Sequence, residues 1–341
     1  MNRRAYLQSL LSVAGVTAAS PWLLTGCARD RAPVASEAAA SAQLETAAVA
    51  SLPIGAQLFT VRELLKQDPR GTLEALARIG FKEIELFGFG ERSIWVDDPL
   101  FGMSPAQFKR LLGDLGLAVP TVHFVATEEA VDRVAAVALE IGAHHLIQAM
   151  APDFLDLDGE VPVVSGVQGR DQILRLAESW NRLGEKCKRA GIGFAYHNHH
   201  MEFARLGDEI AYDVLLANSD PELVHMEMDI GWAAVAGIDG AEYLDRYPER
   251  FIACHLKDYD PNLPIEAPSA KAPIPEQLQL IPPGEGTIDF TRVLSAMRRN
   301  GIEHGYVEID VPVGDPMDNC RRGYNHLAAL QSSQGNGAET A

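Results

Sequence analysis

Eight short apolar runs alternate with eight longer amphipathic stretches over about 280 residues of this sequence, which predicts a closed parallel (β/α)8 TIM barrel. The competing doubly wound sheet is disfavoured because the stretch after the first run, FTVRELL, has no glycine for a phosphate-binding turn. A third observation agrees: the apolar runs end in polar residues, as they do where barrel strands build a site at one rim.

In chain order, strands are predicted near residues 54–59, 83–87, 119–124, 144–149, 192–197, 224–229, 251–256 and 305–310. Helical patterns fall near 71–79, 104–115, 128–141, 170–190, 208–217, 239–246, 289–299 and 318–331. Two segments exceed the minimal repeat: residues 150–169 after strand four, and the proline-rich 260–283 after strand seven. Both are expected at the C-terminal rim, as a wall or lid of a site or as surface decoration.

The ends read differently. Residues 1–27 carry an Arg pair, a short apolar stretch and LTGC at Leu24 to Cys27. This pattern predicts an export signal. NRRAYLQ resembles a twin-arginine signal and LTGC a bacterial lipobox, which implies a periplasmic protein anchored by a lipid on Cys27. Residues 28–50 have one large apolar residue, Leu44, and read as a flexible tether. The barrel is expected over 51–332 and a disordered tail over 333–341. Cys187, Cys254 and Cys320 are scattered singletons and imply no disulfide framework.

A formal charge of −18, from 29 Lys plus Arg against 47 Asp plus Glu, opposes binding to a phosphate backbone. Nucleic acid is therefore not an expected partner.

Collected strand by strand, the polar strand ends are Gln57 and Thr60, Glu85, His123, Gln148, His197 to His199, Glu227 and Asp229, His255, Lys257 and Asp258, and Glu308 and Asp310. Alternation puts His197 with His199, Glu227 with Asp229, His255 with Lys257, and Glu308 with Asp310 on shared faces. Imidazole and carboxylate groups from four consecutive strands suit one divalent ion: Mn²⁺, Mg²⁺, Co²⁺, Fe²⁺ or Zn²⁺. His144, His145, His225, His304 and His326 fall outside this set and read as core residues.

The motifs GAQLFTVR, IELFGF, YHNHHMEF, MDIGW, CHLKD, PPGEGTIDF and GYVEID make Ile54 to Leu330 similar to the sugar phosphate isomerase/epimerase-like group of xylose-isomerase-type barrels. The resemblance implies a metal held at the ends of strands five to eight, commonly by Glu, Asp, His and Glu. Here Asp229, His255 and Glu308 fill the last three places. His197 stands in the first, with His199 as the alternative and Glu202 as a nearby carboxylate.

Glu308, Glu202, His199, Lys257 and His123 are the implied acids and bases; Gln57, Glu85, Asn198 and Gln148 are expected to meet substrate. The implied reaction moves a proton next to a carbonyl of a small carbohydrate, as in an isomerase or epimerase. Imidazole in place of one glutamate makes one-base elimination from a 3-keto-glycoside the alternative. A non-catalytic carbohydrate-binding lipoprotein is the reading from another class.

Overall fold

The computed structural model describes residues 51–90, 96, 98–125, 127–156, 163–259 and 280–337. The expected export signal, the tether and residues 260–279 of the proline-rich stretch lie outside the described residues.

Eight strands form the barrel: β1 (Ile54–Gln57), β2 (Glu83–Gly90), β3 (Thr121–Val125), β4 (His145–Gln148), β5 (Gly193–His197), β6 (His225–Asp229), β7 (Phe251–Leu256) and β8 (His304–Val307). Every neighbouring pair is parallel, and β8 pairs with β1 to close the ring. Closure leaves no unpaired edge in the barrel.

Eight helices follow the strands: α1 (Pro69–Ile79), α2 (Pro105–Leu115), α3 (Val131–Ile141), α4 (Arg170–Arg189), α5 (Ala211–Asn218), α6 (Gly240–Arg246), α7 (Phe290–Arg299) and α8 (Pro316–Gly337). Their starts are written in the sequence. Asp68 caps α1 before a proline, Ser104 and Gln107 form a capping box at α2, and Asp239 and Asp289 cap α6 and α7. The last helix continues past residue 332 to Gly337, within the segment expected to be a tail.

The apolar core lies between strands and helices. Leu86, Val122, Leu146, Phe194, Met226 and Cys254 pack with Leu73, Phe108, Val134, Trp180, Leu215 and Leu294. Burying each large side chain contributes roughly 1.5–3 kcal/mol. The opposite, inward faces of the strands are unusually polar, so the barrel's interior must satisfy its charges internally.

Three small antiparallel ladders decorate the loops: Leu155–Asp156 with Val163–Val164, Arg205–Leu206 with Glu209–Ile210, and Asp258–Tyr259 with Leu280–Ile281. A short helix, Ile230–Val235, follows β6 directly and has Asp229 as its N-cap.

Candidate active site

Strand register brings the functional side chains together. His197 pairs with Glu227, Asp229 with His255, and His255 with Tyr306, so these residues share the inward face. Lys257, Glu308 and Asp310 extend the same faces beyond the strand ends.

At the C-terminal mouth, the Lys257 ammonium contacts Glu308 and lies 2.8 Å from Asp229 Oδ2 and 2.7 Å from Asp310 Oδ2. His255 Nδ1 is 2.7 Å from Glu308 Oε2, and His197 Nε2 is 3.5 Å from Asp229 Oδ2. Asp229 Oδ1 accepts from the Trp232 N–H at 2.8 Å. Its Oδ2 makes no well-directed hydrogen bond among the described residues.

Below this layer, His123 Nε2 is 2.7 Å from Glu227 Oε2 and 3.1 Å from Glu85 Oε2. Glu85 also accepts from Gln57 Nε2 at 2.8 Å and from the Thr121 hydroxyl at 2.5 Å. Thr121 in turn shares a 2.8 Å hydrogen bond with the Tyr306 hydroxyl.

Electrostatics follow from this crowding. Burial alone would raise Glu308, but the Lys257 ammonium and His255 hold it well below the usual carboxylate range. Burial would depress His123, yet Glu85 and Glu227 raise it to about 9; it would likewise depress His255, which Glu227 and Glu308 hold well above its ordinary value. Burial pushes Asp229 up to about 7 even beside Lys257. His197 and His199 are driven well below their ordinary value by burial and by neighbouring positive groups, which favours neutral rings with available lone pairs.

Two buried groups have ligand atoms within 4.8 Å of one another: His197, Asp229, His255 and Glu308; and His123, His197, Glu227 and His255. The first is the set expected from the sequence. The mixed nitrogen–oxygen donor chemistry of this buried set, two imidazoles and two carboxylates with their ligand atoms within 4.8 Å, fits a divalent ion of the zinc or manganese type.

Other expected residues are placed differently. His199 belongs to neither group; its ring packs beside His197 and Trp232. Gln148 turns outward, because His145 and Ile147 occupy the inward parity of β4, and it accepts from Trp180 Nε1 of α4 at 2.9 Å. It is a strand–helix contact, not a substrate contact.

Glu202 is spent on structure as well. It accepts from the Tyr196 hydroxyl at 2.5 Å and from the His199 N–H at 3.0 Å, fixing the turn after β5. Asn198 bridges to β6, accepting from the Asp229 N–H at 3.0 Å, so it orients a ligand strand instead of meeting substrate. Gln57 and Glu85 belong to the hydrogen-bonded layer beneath the mouth, and His123 stands between two carboxylates there.

Asp258, although at a strand end, anchors a loop: its carboxylate accepts from the N–H groups of Tyr259, Gly284, Gly286, Thr287 and Ile288 at 2.9–3.2 Å. A Cβ at Gly286 would overlap that carboxylate, which accounts for the glycine. Arg62, the other basic residue expected near the pocket, donates to the Phe59 carbonyl at 2.6 Å and lies 4.0 Å over the Phe59 ring.

Trp232 is the site residue not anticipated from the sequence. It is buried beside His199 and His200, and its Nε1, like His199 Nδ1, has no hydrogen-bond partner among the described residues. The signal available in the sequence was only its place three residues after Asp229.

A closed barrel with imidazoles, carboxylates and a lysine gathered at its C-terminal mouth defines a class of barrel enzymes. The chain belongs to the xylose isomerase-like TIM barrel family, whose model matches residues 73–330. Among characterised relatives, it is 29% identical over 168 residues to the inosose dehydratase of Clostridium perfringens, covering 47% of this chain and 56% of that one. The inosose dehydratase of Bacillus licheniformis is 28% identical over 186 residues, covering 48% and 61%. These matches thus span somewhat more than half the length of the relatives.

Two solved structures share the fold. A sugar phosphate isomerase/epimerase from Parabacteroides distasonis superimposes with a TM-score of 0.65 at 24% identity, covering 85% of this chain and 97% of that one. The IOLI protein with a bound zinc atom gives 0.58 at 14% identity, covering 83% and 98%.

Proposed function

We propose that this protein is a divalent-metal-dependent lyase that removes a proton next to the carbonyl of a keto-carbohydrate and expels a β-oxygen substituent. The observation that carries this reading over isomerisation is the one-sided arrangement of the mouth. Asp229, Glu308 and Asp310 all gather around Lys257, while imidazoles from His197 and His199 occupy the neighbouring side. Epimerisation by two opposed carboxylates has no matching pair among the described residues of the mouth; elimination needs one base and one acid on the departing side. The dehydratase names of the relatives support the same choice.

His197, Asp229, His255 and Glu308 would hold the metal, which supplies Lewis-acid polarisation of the carbonyl oxygen. Lys257 and its carboxylate partners form the proton-handling pair. A carboxylate of that group takes the α-proton, the C–H pair forms the C=C bond, and the β C–O bond breaks. The Lys257 ammonium protonates the leaving oxygen, giving water or an alcohol. The unpartnered His199 Nδ1 and Trp232 Nε1 are suited to hydroxyl groups of the substrate.

An uncharged substrate fits better than a phosphate ester, since Arg62 is committed to Phe59 and Lys257 to carboxylates. Keto-inositols and 3-keto-glycosides are the compounds to screen. In D₂O, loss of the leaving group with appearance of an enone supports the lyase. Deuterium incorporation with inversion and no elimination returns the reading to epimerisation; tight sugar binding without any turnover favours a binding protein.

We also propose export and lipid attachment through Cys27. Mass spectrometry of the membrane fraction tests this, a mature protein beginning at acylated Cys27 being the expected result and an uncleaved chain the contrary one.

A further inference from the structure

The two candidate ligand groups share His197 and His255, and each shared ring turns one nitrogen toward each group. His197 sets Nδ1 3.0 Å from Glu227 Oε2 and Nε2 3.5 Å from Asp229 Oδ2. His255 sets Nε2 2.7 Å from Glu85 Oε2 and 3.3 Å from Glu227 Oε2; its Nδ1 lies 2.7 Å from Glu308 Oε2 and 3.7 Å from Asp229 Oδ2. A neutral imidazole has one N–H and one lone pair. A carboxylate accepting at one nitrogen therefore decides which nitrogen is left to bind a metal.

We propose that Glu227 and Glu85 are positioning residues that accept the Nδ1–H of His197 and the Nε2–H of His255. The metal then binds through His197 Nε2 and His255 Nδ1, together with Asp229 and Glu308, and the deeper group is its support. This rests on the metal reading above and goes beyond it by assigning the tautomer of each ligand and the residues that set it.

Position and composition separate the two groups. Glu308, which only the upper group contains, lies just past the C-terminal end of β8 at the mouth, whereas Glu227, which only the deeper group contains, is fully buried within β6. The upper group also has two carboxylates against one. In the deeper group, Glu227 Oε2 already faces three ring nitrogens at 2.7, 3.0 and 3.3 Å, the spacing of hydrogen bonds accepted by one oxygen. His123, the third of these, braces Glu227 against Glu85 and so acts through the ligands, away from the reacting atoms.

The test is a two-bond ¹H–¹⁵N correlation spectrum of the ¹⁵N-labelled, Zn²⁺-loaded protein, with Zn²⁺ affinity measured by chelator competition. The expected spectrum has His197 metallated at Nε2 and His255 at Nδ1. Glu227→Gln and Glu85→Gln should each weaken Zn²⁺ binding about 10–100-fold. Glu83→Gln, which removes a carboxylate 2.9 Å from His304 at the other mouth, should leave the affinity unchanged.

Metallation at His197 Nδ1 or His255 Nε2, or parent-like affinity in both Gln variants, overturns the proposal while leaving the metal reading intact. Failure of the parent to bind Zn²⁺ overturns the metal reading itself.

Discussion

The two mouths of the barrel both present inward-facing histidines, and among the described residues the groups able to hold a cation lie at the C-terminal one. At the C-terminal mouth, His197 and His255 face Asp229, Glu227, Glu85 and Glu308. At the N-terminal mouth, His145 and His225 pack edge to face with ring centroids 5.9 Å apart, and His304 pairs with Glu83. Burial and the neighbouring His225 push His145 down to about 4, the behaviour of a ring kept neutral in a core. Histidine content alone therefore does not mark a site; what separates the ends is that several carboxylates converge on the same rings at the C-terminal mouth, against the single Glu83–His304 pair at the other.

The largest expected effect tests the chemistry of the C-terminal mouth. Lys257→Met should lower kcat by about 10²–10⁴-fold, the usual range for a lost general acid or base, while the metal stays bound. Steady-state kinetics with metal analysis of the same sample checks it; undiminished turnover would remove Lys257 from the reaction.

Next comes the rim acid that is structural. Asp258→Asn should destabilise the fold by about 3 kcal/mol, because charge-assisted bonds to the Gly284–Ile288 loop are weakened. Chemical denaturation measures this, and metal content should be unchanged.

The N-terminal mouth predicts a pH effect. His145 has a folded pKa lowered to about 4 from 6.5, so the unfolded chain takes up the proton first. Stability from this group is present above about pH 6.5 and is lost as pH falls toward 4, by roughly 3 kcal/mol in all. His145→Phe should flatten that part of the stability profile measured by thermal melts across pH 4–7. An unaltered slope would mean that His145 is not held neutral.

The smallest effect belongs to Glu83→Gln, which should cost about 1 kcal/mol or less in a partly exposed His–carboxylate pair. A larger loss in denaturation would make the N-terminal mouth more than a packed end.

The comparison also shows what the sequence made legible. Apolar runs and their polar ends located all eight strands to within a few residues, and CHLKD, MDIGW and VEID supplied three of the four grouped ligands. Parity defeated the reading at Gln148: His145 and Ile147 take the inward places, so the next polar residue faces α4. Proximity misled at Glu202, where the chain turns through Met201–Phe203 and aims the carboxylate at Tyr196. Asp258 reads in sequence as one more polar strand end, because nothing local reveals the backbone N–H groups that a loop some 26–30 residues later brings to it. The tautomer-setting role inferred for Glu227 rests on groups from β3, β5 and β7 meeting one β6 side chain, information that only closure of the barrel supplies.

The most direct test of a metal-binding C-terminal mouth is elemental analysis of the purified protein after incubation with Zn²⁺ or Mn²⁺ and removal of excess ion, alongside Asp229→Ala, His255→Ala and His197→Ala. About one ion per chain in the parent, as expected for one four-donor site, lost in all three variants, is the predicted result. A parent that retains no ion, or Asp229→Ala and His255→Ala proteins that keep a full complement, would contradict it.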